Sequence, residues 1–224
     1  MKYRVDIKSK KYGDQLIFED TSFEILEKSF VAIKGPSGSG KSTILRILGM
    51  LEEFDGDYFI DEELIDKKKL ERFRKKYITY IFQSSRLIPY ENAYDNIIMP
   101  LKNLKEKIDK EEILNIAKKL KIDNILNKKV ESLSGGEQQR VSIARAVATK
   151  RSIILADEPT GSLDSDNVIK VMNLFKMINQ EFERTIIMVT HDNHLDDYFD
   201  KIYNIEEYKI KWFILWELRK IMFG

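Results

Sequence analysis

Eight consecutive residues constrain this chain more than any other feature. Gly35-Pro36-Ser37-Gly38-Ser39-Gly40-Lys41-Ser42, followed by Thr43, fills the pattern G-x-x-x-x-G-K-[ST] at every fixed position. Glycines let a backbone curl so that successive N–H groups point inward as an anion nest. A helix starting at the end of such a loop adds the partial positive charge of its N-terminus. Lys41 supplies a mobile full charge for β- and γ-phosphates, and the Ser42 hydroxyl is placed to ligate Mg²⁺. The pattern needs a strand before it and a helix after it. Phe30-Val31-Ala32-Ile33 is a short apolar run, and Ile44, Ile47, Leu48 and Leu51 fall at i, i+3, i+4, i+7.

Further along, two more apolar runs without alternation, Ile153–Ala156 and Thr185–Thr190, are separated by helical patterns such as Ile113, Leu114, Ala117 and Leu120. Continuous apolar strands between helices predict a parallel sheet covered on both faces. The stretch up to about Ile33 predicts strands, with turns at Gly13-Asp14 and later at Asp55-Gly56, and all four prolines are expected at element boundaries. The expected fold is α/β, with a β-rich N-terminal portion and a helical insertion.

Composition removes whole classes of chemistry. With no cysteine and only His191 and His194, thiolate zinc sites, iron–sulfur clusters, disulfides and cysteine nucleophiles are excluded. Lys+Arg at 38 against Asp+Glu at 37 gives a net charge of +1, which argues against a nucleic-acid partner. The start MKYRVDIKSKKYGD has no apolar core of a secretory signal, and no run approaches the ~20 apolar residues that span a bilayer. The expectation is a cytoplasmic protein that reaches a membrane only through a partner.

Ile153-Ile154-Leu155-Ala156 ends in Asp157-Glu158-Pro159. Beside a phosphate loop, Asp157 can hold Mg²⁺, and Glu158 can orient or deprotonate an attacking water. Between the two elements, Leu133-Ser134-Gly135-Gly136-Glu137-Gln138-Gln139-Arg140 has the form of a capped helix start, with Ser134 as N-cap and Glu137 closing a capping box. Its open glycine N–H groups make a second anion-binding helix N-terminus. A second such start makes sense if it serves a nucleotide held by another subunit.

Taken together in order, these segments resemble the ATP-binding subunit of an ABC transporter, from about Lys2 to about Ile205. Loop 35–43 is similar to that family's Walker A motif, 133–140 to its signature and 153–158 to its Walker B motif. Gln83 matches the Q-loop, Ser162-Leu163-Asp164 the D-loop, His191 the switch histidine and Tyr12 the aromatic residue that stacks on adenine. The wording of 35–43, of Pro100-Leu101 after Asn96-Ile97-Ile98, and of Glu158–Asp164 is similar to the lipoprotein-release, macrolide-efflux and bacteriocin-export type. The resemblance implies a P-loop NTPase (RecA-like) core with an N-terminal antiparallel β subdomain and a helical subdomain, 84–148, inserted before the signature motif. It also implies ATP and Mg²⁺ as cofactors, with Ser42, Gln83 and Asp157 around the metal and Lys41, Gln83, Glu158 and His191 in hydrolysis. The nucleotide would touch Tyr12, residues 35–43, Ser134 to Glu137 and Asp164. Implied partners are a membrane permease subunit and a second copy of the chain, joined head to tail around two ATP molecules. The alternative is an ATP-driven mechanical or signalling regulator of a cell-envelope process without transport.

Two departures stand out: Lys34 replaces an apolar residue usual before the phosphate loop, and Asp61-Glu62-Glu63 replaces an Asp-Gly turn. Neither is expected to touch the phosphate chemistry. The ATPase domain is expected over 1–205. The tail 206–224, apolar on most sides with basic residues interspersed, suggests a helix: packed on the core, docked on a partner, or lying in a membrane interface.

Overall fold

The structure, a computed structural model, describes residues 2–161 and 163–213. In chain order the elements are β1 (Lys2–Tyr12), β2 (Gln15–Leu26), β3 (Phe30–Lys34), α1 (Lys41–Leu48), β4 (Asp55–Ile60), β5 (Glu63–Leu64), α2 (Leu70–Tyr77), β6 (Ile78–Ile81), α3 (Ala93–Asn103), α4 (Lys110–Lys119), α5 (Gly135–Ala148), β7 (Ile153–Asp157), α6 (Ser165–Glu181), β8 (Thr185–Val189), β9 (Lys201–Glu206) and β10 (Lys209–Phe213). They form a four-stranded antiparallel sheet, β2-β1-β4-β5, and a six-stranded sheet, β10-β9-β3-β8-β7-β6. Within the second sheet β9, β3, β8, β7 and β6 run parallel. This is the expected P-loop α/β arrangement with its antiparallel layer.

The continuous apolar strands are explained by two cores that share one sheet. Phe30, Ala32, Ile154, Ala156, Ile186 and Met188 face the helices α3 to α6, while Val31, Ile33, Ile153, Leu155, Ile187 and Val189 face α1 and the antiparallel sheet. Both faces are covered, so alternate side chains are all apolar. Register aligns the strand ends: Ile33 lies opposite Val189, Val189 opposite Asp157, and Ala156 opposite Ile81. Every loop that carries a candidate site residue after β3, β6, β7 or β8 therefore leaves from the same, C-terminal edge of the sheet, where ligands bind in open α/β sheets.

Several local expectations change. The helix after the phosphate loop stops at Gly49; Met50 turns left-handed with φ 55°, and Leu51 is exposed rather than part of the stripe. On α4 the buried side chains are Ile113, Ile116 and Ala117, and Leu114 faces out. Pro100 lies inside α3, near its C-terminal end, and not at a boundary. Asp55-Gly56 opens strand β4 instead of turning: a Cβ on Gly56 would lie 2.1 Å from the Asp6 carbonyl oxygen and 2.6 Å from the Phe54 ring. The turn sits at Asp61 and Glu62, both with positive φ, in a two-residue hairpin that pairs Ile60 with Glu63.

The tail is corrected in kind. Residues 209–213 form a strand, β10, antiparallel to β9, through another two-residue turn at Glu207 and Tyr208. The strand is anchored to β2 by Glu19 N–H donating to the Tyr208 carbonyl and Ile210 N–H donating to Thr21 Oγ1. A helix over those residues is excluded; 214–224 lie outside the described residues. Among the described residues, no helix is long and apolar enough to cross a membrane.

Candidate functional site

The phosphate loop folds as its residue types demand. Gly35, Gly38 and Gly40 have φ of 154°, 80° and 96°, which side-chain-bearing residues rarely adopt. At Gly35 the space is also taken: a Cβ would lie 2.6 Å from Ser39 Oγ and 3.2 Å from the Ile205 carbonyl oxygen. Gly40 caps α1 without any side-chain bond, so the first-turn N–H groups stay open. The Lys41 ammonium folds back on the loop, donating to the carbonyls of Gly35 (2.9 Å) and Pro36 (2.8 Å). Pro36, Ser37 and Gly38 are exposed, and Thr43 is half-buried on α1.

Strand β7 delivers its acids to this loop. Ser42 Oγ donates to Asp157 Oδ1 at 3.5 Å, joining residues 115 apart in sequence. Burial and the adjacent Glu158 carboxylate push the Asp157 carboxyl up, against opposing pulls from Ser42, Lys41 and Arg86. A hydroxyl beside a carboxylate suits a hard divalent cation. Among the described residues there is no cluster of three or more acidic or histidine side chains able to hold a metal. Phosphate and water oxygens would have to complete the shell, as is usual for Mg²⁺.

The raised Asp157 carboxyl has a thermodynamic consequence. The fold favours its protonated form, so above the carboxylate range the charge opposes folding, and that cost is relieved as pH falls. Asp157→Asn is therefore expected to raise the thermal midpoint of the nucleotide-free protein near neutral pH, with a gain that shrinks under acid. It should at the same time blunt the extra stabilisation by Mg·ATP over ATP alone. Thermal scans across pH, with and without nucleotide, check both halves.

Glu158 follows with φ 42°, a strained value for a non-glycine residue, fixed by its N–H donating to the Val189 carbonyl at 3.1 Å. Its Oε1 lies 3.5 Å from His191 Nδ1, and His191 is exposed at the end of β8. Gln83 is exposed beyond β6. A Cβ built on Gly161 would sit 3.5 Å from both Gln83 Nε2 and Glu158 Oε2, so the Gln83 side chain and the acid share one small space. Lys41, Ser42, Asp157, Glu158, His191 and Gln83 thus gather at one edge of the sheet.

Other candidates lie apart. The capping box is formed as expected: Ser134 N–H and Oγ donate to Glu137 Oε2 at 2.8 and 2.9 Å, and Glu137 N–H donates back at 3.3 Å, bonds that hold the Glu137 carboxyl below its usual range. Ser134, Gly135, Gly136 and Glu137 line a cavity of about 890 Å³ together with Asp164 and Lys170. None of residues 35–43 lines it, so one chain does not close the signature helix over its own phosphate loop. Asp164 caps α6, accepting from Asn167 N–H at 3.0 Å; Ser162 lies outside the described residues. Tyr12 is 44% exposed, with the Lys10 ammonium 4.4 Å from its ring centre and its hydroxyl bonded to Glu52, which also holds Arg46 of α1 at 3.0 Å.

Sequence reasoning missed Arg145. From the last turn of α5 its guanidinium donates to the carbonyls of Ser85 (2.7 Å) and Arg86 (2.8 Å), tying this helix to the segment after Gln83. Nothing in the local pattern marks it; the contact crosses 60 residues.

Comparison with known proteins agrees with this fold. The family model for ABC transporters matches residues 18–161. The chain is 42% identical to the ABC transporter ATP-binding protein YxdL of Bacillus subtilis, over 82% of this chain and 75% of that one. It is 38% identical to the lipoprotein-releasing system ATP-binding protein LolD of Francisella tularensis, over 88% and 90%. Among solved structures it is similar to the dimeric ATP-binding cassette MJ0796 in a post-hydrolysis state bound to ADP and Pi, the protein of Methanocaldococcus jannaschii, at 35% identity and a TM-score of 0.79, over 95% of this chain and 98% of that one.

Proposed function

The chain belongs to the ABC transporter family of ATP-binding proteins, and on that premise we propose that it is the ATP-hydrolysing motor of a membrane export complex of the lipoprotein-release type. The observation that carries this reading is the assembly of Lys41, Ser42, Asp157, Glu158 and His191 at one sheet edge while Ser134 faces a different cavity. The pocket is half a site, and a second copy docked head to tail supplies the other half.

ATP enters with its triphosphate in the curl of 35–40. Lys41 leaves the carbonyls of Gly35 and Pro36 for the β- and γ-phosphates, exchanging neutral acceptors for charged ones. Ser42 and Asp157 would hold Mg²⁺, with Gln83 beside them, and the cation would supply charge neutralisation at the phosphates. Glu158 accepts a proton from the attacking water, a bond forms to γ-phosphorus, the bond to the β,γ-bridging oxygen breaks, and ADP departs. His191, next to Glu158, orients the γ-phosphate and the water. Tyr12 stacks on the base, and Asp164 with Ser134 to Glu137 of the partner copy closes over the phosphates. Loss of the γ-phosphate removes the bridging charge and reopens the pair. The helical unit 84–148 transmits that motion to a membrane subunit, which places the chain on the inner membrane face through its partner.

Purifying the chain with its membrane subunit tests the proposal. ATP-dependent release or export of substrate from vesicles is expected. ATP turnover stimulated by the complex with no substrate movement would instead favour a mechanical regulator.

A further inference from the structure

Lys34 is the last residue of β3, paired with Asn204 of β9, and its side chain is buried. A buried ammonium has to be paired and hydrogen-bonded to be tolerated. Its Nζ donates to the Asp192 carbonyl at 2.8 Å, to Asn193 Oδ1 at 3.2 Å and to the Asp196 carboxylate. An ammonium has three donors, and all three end on residues 192–196, the segment directly after His191. That segment is held further by Thr190 N–H on the Ile33 carbonyl at 3.2 Å and Asp192 N–H on Thr190 Oγ1 at 3.2 Å. The imidazole itself is exposed, so its place is set chiefly through the backbone beneath it.

We propose that Lys34 is a positioning residue that ties the His191 segment to the root of the phosphate loop. Lys34 is joined directly to Gly35, whose carbonyl receives the Lys41 ammonium. One side chain therefore connects the strand end that grips the phosphates to the loop that presents His191 to Glu158. An apolar residue in its place would make none of the three bonds, and 192–196 would be free to relax away from β3. The inference rests on the roles given above to His191 and Glu158.

The test uses the full chain and five variants: Lys34→Met, Asp196→Asn, the pair combined, His191→Ala, and His194→Gln for signal assignment. Steady-state ATP hydrolysis, nucleotide affinity and the imidazole Cε1–H signals are measured. Only two histidines are present, so two signals arise, and His194→Gln assigns them. Lys34→Met is expected to lower kcat by about tenfold to a hundredfold, the scale of a small misplacement of a reacting group, with KM and nucleotide affinity unchanged. Asp196→Asn should move kcat the same way, and the combined variant should fall little further than the worse single one, because the two share one contact. The His191 signal should shift in each.

The proposal is overturned if Lys34→Met keeps wild-type kcat and an unmoved His191 signal while His191→Ala loses turnover. A lowered thermal midpoint with both readouts unchanged overturns it equally, since that is a purely structural role. Full turnover in His191→Ala would instead refute the reading of His191, and the proposal falls with it. Should Lys34→Met fail to fold, Asp196→Asn is judged by the same two readouts, its carboxylate being partly exposed.

Discussion

Glu158→Gln is expected to bind ATP normally and to lose turnover by about 10²–10⁴-fold, the usual contribution of a general base. The substitution keeps the size and the hydrogen-bonding shape of the side chain and removes its ability to take a proton. It also removes a negative charge that pushes the Asp157 carboxyl up, so affinity for the Mg·ATP complex should hold or rise. Because the γ-phosphate is then released far more slowly, the ATP-bound pair should accumulate and elute as a dimer at concentrations where the wild-type chain, cycling, does not. Phosphate-release assays and size-exclusion runs with ATP read the two effects separately. Wild-type turnover in this variant would remove Glu158 from the reaction and leave its proximity to His191, 3.5 Å, without a purpose.

What the sequence discloses about this site depends on how local each interaction is. The phosphate loop, the Asp157-Glu158 strand end and the Ser134 cap are written in consecutive residues, because each is a backbone conformation plus one or two side chains. Their convergence is also legible, because parallel strands put their ends at one edge. Lys34 is different. As a sequence letter it is only an odd residue before a motif, and its meaning comes from carbonyl and carboxylate partners 158 and 162 residues away. Arg145 is hidden for the same reason. The tail misleads in another way. Lys209, Ile210, Lys211 and Trp212 alternate as a strand should, but the turn before them is Glu207-Tyr208, where no glycine or asparagine announces two positive φ values. Asp61-Glu62 hides the β4–β5 hairpin in the same manner, while Asp55-Gly56 advertises a turn that is a close approach between strands.

Two inactive variants mixed together should recover activity. Lys41→Ala removes the charge that grips the phosphates and leaves the signature helix intact. Ser134→Asp keeps a good N-cap residue, so α5 should persist, but sets a carboxylate against the γ-phosphate of the opposite site. Each homodimer then has two broken pockets. In the mixed dimer, one pocket pairs Lys41 of the Ser134→Asp chain with Ser134 of the Lys41→Ala chain, and both halves are native. Random pairing makes half the dimers mixed with one sound site each, so turnover should return to about a quarter of wild type in a two-fold assembly. The recovered rate per molecule should fall on dilution, because it requires encounter. If Ser134→Asp alone retains turnover and mixing it with Lys41→Ala adds nothing, the pocket is complete within one chain. Ser134 lines a cavity to which none of residues 35–43 contributes, and that separation within one chain argues for recovery.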